Sequence, residues 1–286
     1  MRYTTIKKRY SAALKGKYAM GAFNFCDSDI AMAIFNAARK LKAPIIMETS
    51  SGEMHHLHPQ VARGIADGLN RIENNIFILH LDHGKTLENV KEAIKAGYDS
   101  VHFDGSALPY RQNLDLTRKA ALLAHKHGLW IEGELGHVGG SSTLHKDTSY
   151  SSLEIIKTDP QQARDFVQKT GIDSLASNIG NVHGIWKGLP DIDFRLLAEI
   201  RKHIHIPLVL HGGSGIAPFQ IRKAISLGIS KINVNSEMRV AFSTALKKSL
   251  AKKDTFVPTE YLPEAISAVQ KVVDGKIRLF KSANRL

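Results

Sequence analysis

The sequence predicts an α/β protein, a (β/α)₈ TIM barrel with a C-terminal helical extension, and three observations carry that prediction. Its 286 residues suit one such barrel of roughly 250 residues plus an extension. Eight short apolar runs recur along it, with helix-like segments between most of them. Strand–helix alternation of this kind builds a parallel sheet rather than a sandwich. Gly97, Gly128, Gly171 and Gly228 each stand between a helix-like segment and the next apolar run, where helices end in left-handed turns.

Taken in order, the predicted strands are Tyr18–Phe23, Pro44–Glu48, Ile76–Leu81, Asp99–Phe103, Leu129–Glu134, Asp173–Ile179, Pro207–Leu210 and Lys231–Val234. Between them, Leu87–Ala96 and Asn113–His127 space their apolar residues as amphipathic helices do. A helical segment, Glu260 to Phe280, follows the eighth strand and is expected to pack on the barrel or on a neighbouring subunit. No low-complexity linker divides the chain, so residues 1–286 read as one barrel domain.

Composition excludes several classes. Hydrophobic residues make up 43% and charged residues 23%, enough for a globular core without a run of 18 apolar residues to cross a membrane. Met1 to Arg9 is basic with no apolar stretch behind it, so no secretion signal is read. One cysteine, Cys26, rules out an internal disulfide and suits the cytoplasm. The net charge of +12 is spread along the chain. That distribution suits anionic small substrates better than nucleic acid.

In this fold the active site is assembled where strands end. The residues there are Asn24, Ser50, Asp82-His83, Asp104, Glu134, His183, His211 and Asn233, so every strand contributes a polar group. His83, His183 and His211 fall after the third, sixth and seventh strands. Three imidazoles suit zinc, whose catalytic sites keep three protein ligands and an open position. His55, His56 and His58 are read as loop residues without that placement. His80 and His102 share strand parity with Asp82 and Asp104 and are read as hydrogen-bonded core. Two turns, His211-Gly212-Gly213-Ser214-Gly215 and Asn233-Val234-Asn235-Ser236, follow the seventh and eighth strands, the usual phosphate site of barrels.

These segments resemble the class II, metal-dependent fructose- and tagatose-bisphosphate aldolase family over nearly the whole chain. The likeness is carried by Ala22-Phe23-Asn24, His80-Leu81-Asp82-His83-Gly84, Ser100 through Ser106, Glu132-Gly133-Glu134-Leu135-Gly136, Ile179 through Gly184, Leu208 through Gly215 and Lys231 through Asn235. Lys276-Ile277-Arg278-Leu279-Phe280 resembles the family's last helix. The resemblance implies zinc on His83, His183 and His211, with Asp104 and Glu134 at an alternative or second cation site. It implies Asp82 as the acid/base for the C4 hydroxyl; a competing reading makes Asp82 the partner that orients a ligand histidine. Gly184, Lys187, Gly212, Ser214, Asn235 and Ser236 would hold the phosphate of the dihydroxyacetone half, with Asn233 on the enediolate. Asn24 and Ser50 would face the other half. Arg239 matches a position that in some members binds the distal phosphate of a neighbouring subunit's substrate.

The implied enzyme is a lyase that cleaves a ketose 1,6-bisphosphate, fructose first and tagatose second. Zinc is its cofactor, with a second divalent or a monovalent cation in addition, and it assembles as a homodimer or homotetramer. Another phosphorylated ketose, or a catalytically silent sugar-phosphate-binding barrel, stands as the alternative. The sequence departs from the family at Ser142, where members usually carry the glutamate that handles the enediolate carbon. His145 or Asp147 could substitute if that loop folds inward. Asn181 and Lys281 stand where threonine and glycine are common.

Overall fold

The computed structural model describes residues 2–73, 77–149, 153, 155–188, 191–252 and 254–286. Strands are numbered in chain order. Eight of them close a parallel barrel: β1 (Met20–Asn24), β2 (Ile45–Ser50), β3 (Phe77–Gly84), β4 (Ser100–Phe103), β5 (Trp130–Leu135), β7 (Ser174–Ser177), β9 (Leu208–Leu210) and β10 (Ile229–Val234). All eight predicted strands are present, and β1 pairs with both β2 and β10 to seal the ring. The predicted third strand begins among the described residues at Phe77; Ile76 lies outside them.

Helices return the chain from each strand to the next, and their ends follow from side-chain chemistry. Asp27, Thr86, Asp159 and Asp193 each accept a hydrogen bond from a backbone N–H in the first turn of the following helix, satisfying a donor the helix leaves open. Gly97 and Gly171 close α5 (Leu87–Ala96) and α7 (Pro160–Thr170) in the left-handed conformation, as predicted. The core lies between strands and helices, where Phe23, Phe35, Leu79, Val101, Phe103 and Phe166 are fully enclosed.

Three features depart from the sequence reading. The basic N-terminal segment forms α1 (Arg2–Gly16), which closes the floor of the barrel. Ile6, Tyr10 and Ala13, spaced one helical face apart, pack under Met20, Ile46, Ile78 and Trp130. Two further strands, β6 (Leu144–Ser149) and β8 (Ile185–Lys187), pair in parallel outside the barrel. Between Ser50 and Pro59 the chain forms α3 (Ser51–Leu57), so His55 and His56 are helical rather than in a loop. His58 follows α3 with a positive φ of 69°. Lys281 likewise takes φ 59°, which accounts for glycine being common there. The extension is α11 (Pro258–Leu279), packed on α10 (Ser236–Lys252) and α2 (Ser28–Lys40). Among the described residues no helix is long and apolar enough to cross a membrane.

The floor gives a first prediction. Tyr10 is 2% exposed and stacks on Trp130 with ring centroids 4.8 Å apart. Tyr10→Ala should cost about 3–5 kcal/mol, as large aromatic truncations do. Thermal unfolding should show it as a fall of several degrees; an unchanged midpoint would mean α1 is not part of the folded core.

Candidate metal centre and active site

Asp82 and His83 are neighbours in β3, and in a regular strand their side chains would point to opposite faces. Both reach the barrel mouth because His83 adopts φ 48° and the β3–β4 register shifts between Leu81 and Gly84. A bulky residue at positive φ is strained, and here the strain turns the imidazole inward. The backbone N–H of His83 donates to His102 Nδ1 at 3.2 Å, and its carbonyl accepts from Ser51 Oγ at 3.0 Å. These contacts hold the bend.

His183 arrives from the loop after β7 and His211 directly after β9. Their ring nitrogens converge on His83: His83 Nε2 lies 3.1 Å from His183 Nε2 and 3.0 Å from His211 Nδ1. Each ring spends its other nitrogen elsewhere. His83 Nδ1 is 2.7 Å from Asp104 Oδ2, His183 Nδ1 is 3.1 Å from the Val138 carbonyl, and His211 Nε2 is 2.7 Å from Glu132 Oε1. Each acceptor fixes a ring so that its remaining nitrogen faces the common point. Zinc–nitrogen bonds of about 2.0–2.1 Å in a tetrahedral site place ligand nitrogens about 3.3 Å apart, so the donor set fits a divalent metal.

The titration behaviour agrees. Burial works against a charged His83, but Asp82 and the hydrogen-bonded Asp104 outweigh it and raise the ring to about 10. Burial lowers His183 to about 4, helped by His83, and drives His211 down as well. Without a metal, one proton on His83 thus sits between three nitrogens, where a cation would otherwise be held. Burial raises the Asp82 carboxyl, yet the charge on His83 prevails and holds it at about 2. Asp82 is ionised, accepting from Asn233 Nδ2 at 3.0 Å and Asn24 Nδ2 at 3.1 Å. Its nearest approach to a ring nitrogen is 3.8 Å, to His83 Nε2. Asp104, Glu132 and the Val138 carbonyl already hold the three rings, so Asp82 is not needed to orient them.

Most of the sequence-predicted residues meet here. A cleft of about 20 Å³ is lined by Asp82, His83 and His183, by Gly184, Gly212 and Ser214, and by Asn24, Asn233, Asn235 and Ser236, with Ser142 beside them. It opens beside a wider pocket of about 410 Å³ that shares His83, Ser142 and His183 and adds Ser50, Lys85 and His137. Gly212 has φ 63°, and a Cβ there would lie 2.1 Å from the Val182 carbonyl, so only glycine lets the two loops approach. Gly213 lies behind the cleft, its N–H donating to the Asn233 carbonyl at 2.9 Å. Asn181, buried, donates to the His211 carbonyl at 3.0 Å and so ties the loop carrying His183 to that carrying His211.

Other predicted residues take different places. Ser50 caps α3, accepting from the Glu53 N–H while the Glu53 carboxylate accepts from Ser50 N. Asp104 bonds to His83 and to Ser106 Oγ at 2.7 Å, behind the three converging nitrogens. Glu134 Oε2 is 3.9 Å from His83 Nδ1 and 3.5 Å from His102 Nε2, and neither Glu134 Oε2 nor His102 Nε2 has a hydrogen-bond partner. His80 is a hydrogen-bonded core residue, as read, on Ser100 Oγ at 2.7 Å and Lys231 Nζ at 3.1 Å. Arg239 reaches Glu53 Oε1 at 2.6 Å and the Ser142 carbonyl at 3.1 Å. Lys187 lies on β8 with its side chain outside the described residues, as is that of Asp147 on β6. His145 stacks on Trp186 at 3.6 Å and 10°, with Nε2 3.1 Å from the Ser141 carbonyl.

Sequence reasoning passed over Glu132, Lys231 and Glu53. The signal for Glu132 was its alternation with Glu134 in β5, which puts both on the interior face. Glu53 was signalled by Ser50 three residues earlier, the spacing of a capping box.

Known proteins place this geometry. Residues 4–285 match the family described as fructose-bisphosphate aldolase class-II. The fructose-bisphosphate aldolase of Geobacillus stearothermophilus is 38% identical over 291 residues, covering 100% of this chain and 99% of that one. The fructose-bisphosphate aldolase of Staphylococcus aureus is 37% identical over the same span and coverage. Among solved structures, the YdjI aldolase of Escherichia coli K12 superposes with a TM-score of 0.85 at 32% identity, with 98% of each chain covered.

Because a metal must displace the proton on His83, its affinity should rise with pH, about tenfold per unit, as long as that ring stays protonated in the metal-free protein. Chelator competition at pH 6.5 and 8.5 measures the slope; a flat profile would show that no proton competes. Asp104→Asn should weaken metal binding about 10–100-fold in the same assay, and unchanged affinity would remove Asp104 from the orienting role.

Proposed function

This chain belongs to the class II fructose-bisphosphate aldolase family and is a carbon–carbon lyase; we propose that it cleaves fructose 1,6-bisphosphate reversibly to dihydroxyacetone phosphate and glyceraldehyde 3-phosphate, with zinc on His83, His183 and His211. The observation that carries this reading is the convergence of three ring nitrogens, His183 Nε2 and His211 Nδ1 lying 3.1 and 3.0 Å from His83 Nε2, each ring backed by its own acceptor. Bound there, zinc supplies a Lewis acid for the charge that develops at the C2 oxygen, worth several kcal/mol.

The chain's own groups support the remaining chemistry. Asp82, ionised and 3.8 Å from His83 Nε2, takes the C4 hydroxyl proton as the C3–C4 bond breaks and returns it in condensation. Asn24 and Asn233 hold its two oxygens in place. Asn233 Oδ1 is buried without a partner and is suited to accept a substrate hydroxyl. The turn Gly212–Ser214 and the start of α10 at Ser236 face one cleft, where backbone N–H groups and the helix N-terminus favour a phosphate. Gly184, Asn235 and Lys187 are assigned to the same phosphate by family resemblance. The wider pocket, with Ser50 at its edge, receives the aldehyde half. The paired Asp104 and Glu134 beside His102 support a second divalent site. A monovalent cation near the phosphate rests on the resemblance alone. We place the enzyme in the cytoplasm, as one domain that assembles as a homodimer or homotetramer.

Two observations favour a second reading, another phosphorylated ketose. Ser142 replaces the usual glutamate, and the charge of Arg239 is already met by Glu53, so a distal phosphate finds no free arginine at that position in this chain.

Triose phosphate release from fructose 1,6-bisphosphate, coupled to NADH oxidation, tests the proposal. Turnover should depend on zinc and stop on chelation. Protein that binds zinc stoichiometrically yet leaves this sugar intact would move the assignment to tagatose 1,6-bisphosphate. Asp82→Asn should lower kcat about 10²–10⁴-fold with zinc content unchanged; full activity would return Asp82 to an orienting role.

A further inference from the structure

The interior of a (β/α)₈ barrel is ordinarily filled by branched apolar side chains. Directly beneath the three histidines this barrel instead holds a polar layer: Glu48 from β2, His80 from β3, Glu132 from β5 and Lys231 from β10, none more than 1% exposed. Lys231 Nζ donates to Glu132 Oε2 at 2.9 Å and Oε1 at 3.2 Å, lies 3.1 Å from His80 Nε2, and is 3.6 Å from Glu48 Oε2. His80 Nδ1 faces Ser100 Oγ at 2.7 Å, so its Nε2 can accept from the lysine. Glu132 Oε1 receives both Lys231 and the Nε2–H of His211, the latter at 2.7 Å.

A carboxylate that holds an imidazole must itself be held, because a buried carboxyl can rotate about its last torsion. Glu132 has two oxygens, and the lysine grips both while the histidine uses one. The ammonium has few other demands: Glu48 is more distant and makes no hydrogen bond. Lys231 also does not line the cleft formed by Asp82, His183 and the glycine turns.

We propose that Lys231 is a positioning residue for the metal: through Glu132 it fixes the ring orientation and tautomer of His211, and so sets metal affinity without touching the substrate. The inference rests on the reading of the three histidines as metal ligands. Its prediction is specific. Lys231→Met fills the same buried slot without the charge, and should raise the zinc dissociation constant about 10–100-fold, the usual effect of losing an outer partner. KM for the ketose should stay within about threefold, since the phosphate loops and Asp82 are untouched; a larger rise with kcat unchanged would mean that uniform substrate binding was lost.

The measurement is chelator competition for zinc, with the visible spectrum of the cobalt(II)-loaded protein as a second readout. A packing role alone would leave the cobalt bands in place; a displaced His211 shifts them. Circular dichroism of the metal-free protein reports whether the variant folds. If Lys231→Met does not fold, Lys231→Met/Glu132→Gln, with no charge left on either residue of the pair, takes its place with the same expectation. Weakened zinc and shifted cobalt bands in a folded variant support the proposal. Wild-type zinc affinity and an unshifted spectrum would overturn it. Wild-type protein that takes up no zinc would instead sink the reading of the histidines, and this inference with it.

Discussion

Three imidazole lone pairs aimed at one point repel each other unless a proton or a metal lies between them. The mouth of this barrel is organised around that constraint. The converging nitrogens, 3.0 and 3.1 Å from His83 Nε2, stay there because each ring is held from behind by Asp104, the Val138 carbonyl or Glu132. The supports differ in kind and come from different elements: the loop after β4, the loop after β5, and β5 itself. The barrel supplies what the arrangement needs, strand ends that converge from several directions onto a small volume.

The same constraint links chemistry to folding. Asp82 stays ionised because it lies beside His83 and accepts two amide N–H groups, and an ionised carboxylate there is ready to receive a proton. The glycine turn after His211 approaches Val182 too closely for any side chain, which keeps the backbone N–H groups of that turn on the same side as the three histidines. Two charge pairs close the assembly. Glu53 joins Asn24, Asn235 and Arg239 across three elements, and Glu237 joins Gly215 N–H to Lys276 of the last helix. The extension is thereby connected to the Gly212–Gly215 turn, not merely packed on the outside.

The strands were legible because each is a short apolar run closed by a polar residue, and the three histidines at the mouth because they follow such runs. What stayed hidden depends on direction, and composition does not carry direction. Asp82 and His83 share the mouth only through a left-handed residue, which no pattern announces. Glu132 and Lys231 occupy positions where a period-two pattern expects apolar side chains, so their pairing across the barrel could not be inferred from either strand alone. Helix α1 was masked by its charge, with only Ile6, Tyr10 and Ala13 marking its buried face. His145, whose residue type suits a proton carrier, rests on the flat face of Trp186 at 3.6 Å, a contact that residue type alone does not announce.

The backbone at His83 has a consequence for anyone who would retune this centre to another metal. A residue with φ 48° pays a conformational penalty that asparagine and aspartate tolerate and β-branched side chains do not. His183 and His211 are absent from the positive-φ set, so ligand exchange there changes donor chemistry without that penalty. Exchange at His83 is therefore narrowed to residues that accept a left-handed backbone, aspartate and asparagine among them, while His183 and His211 carry no such filter.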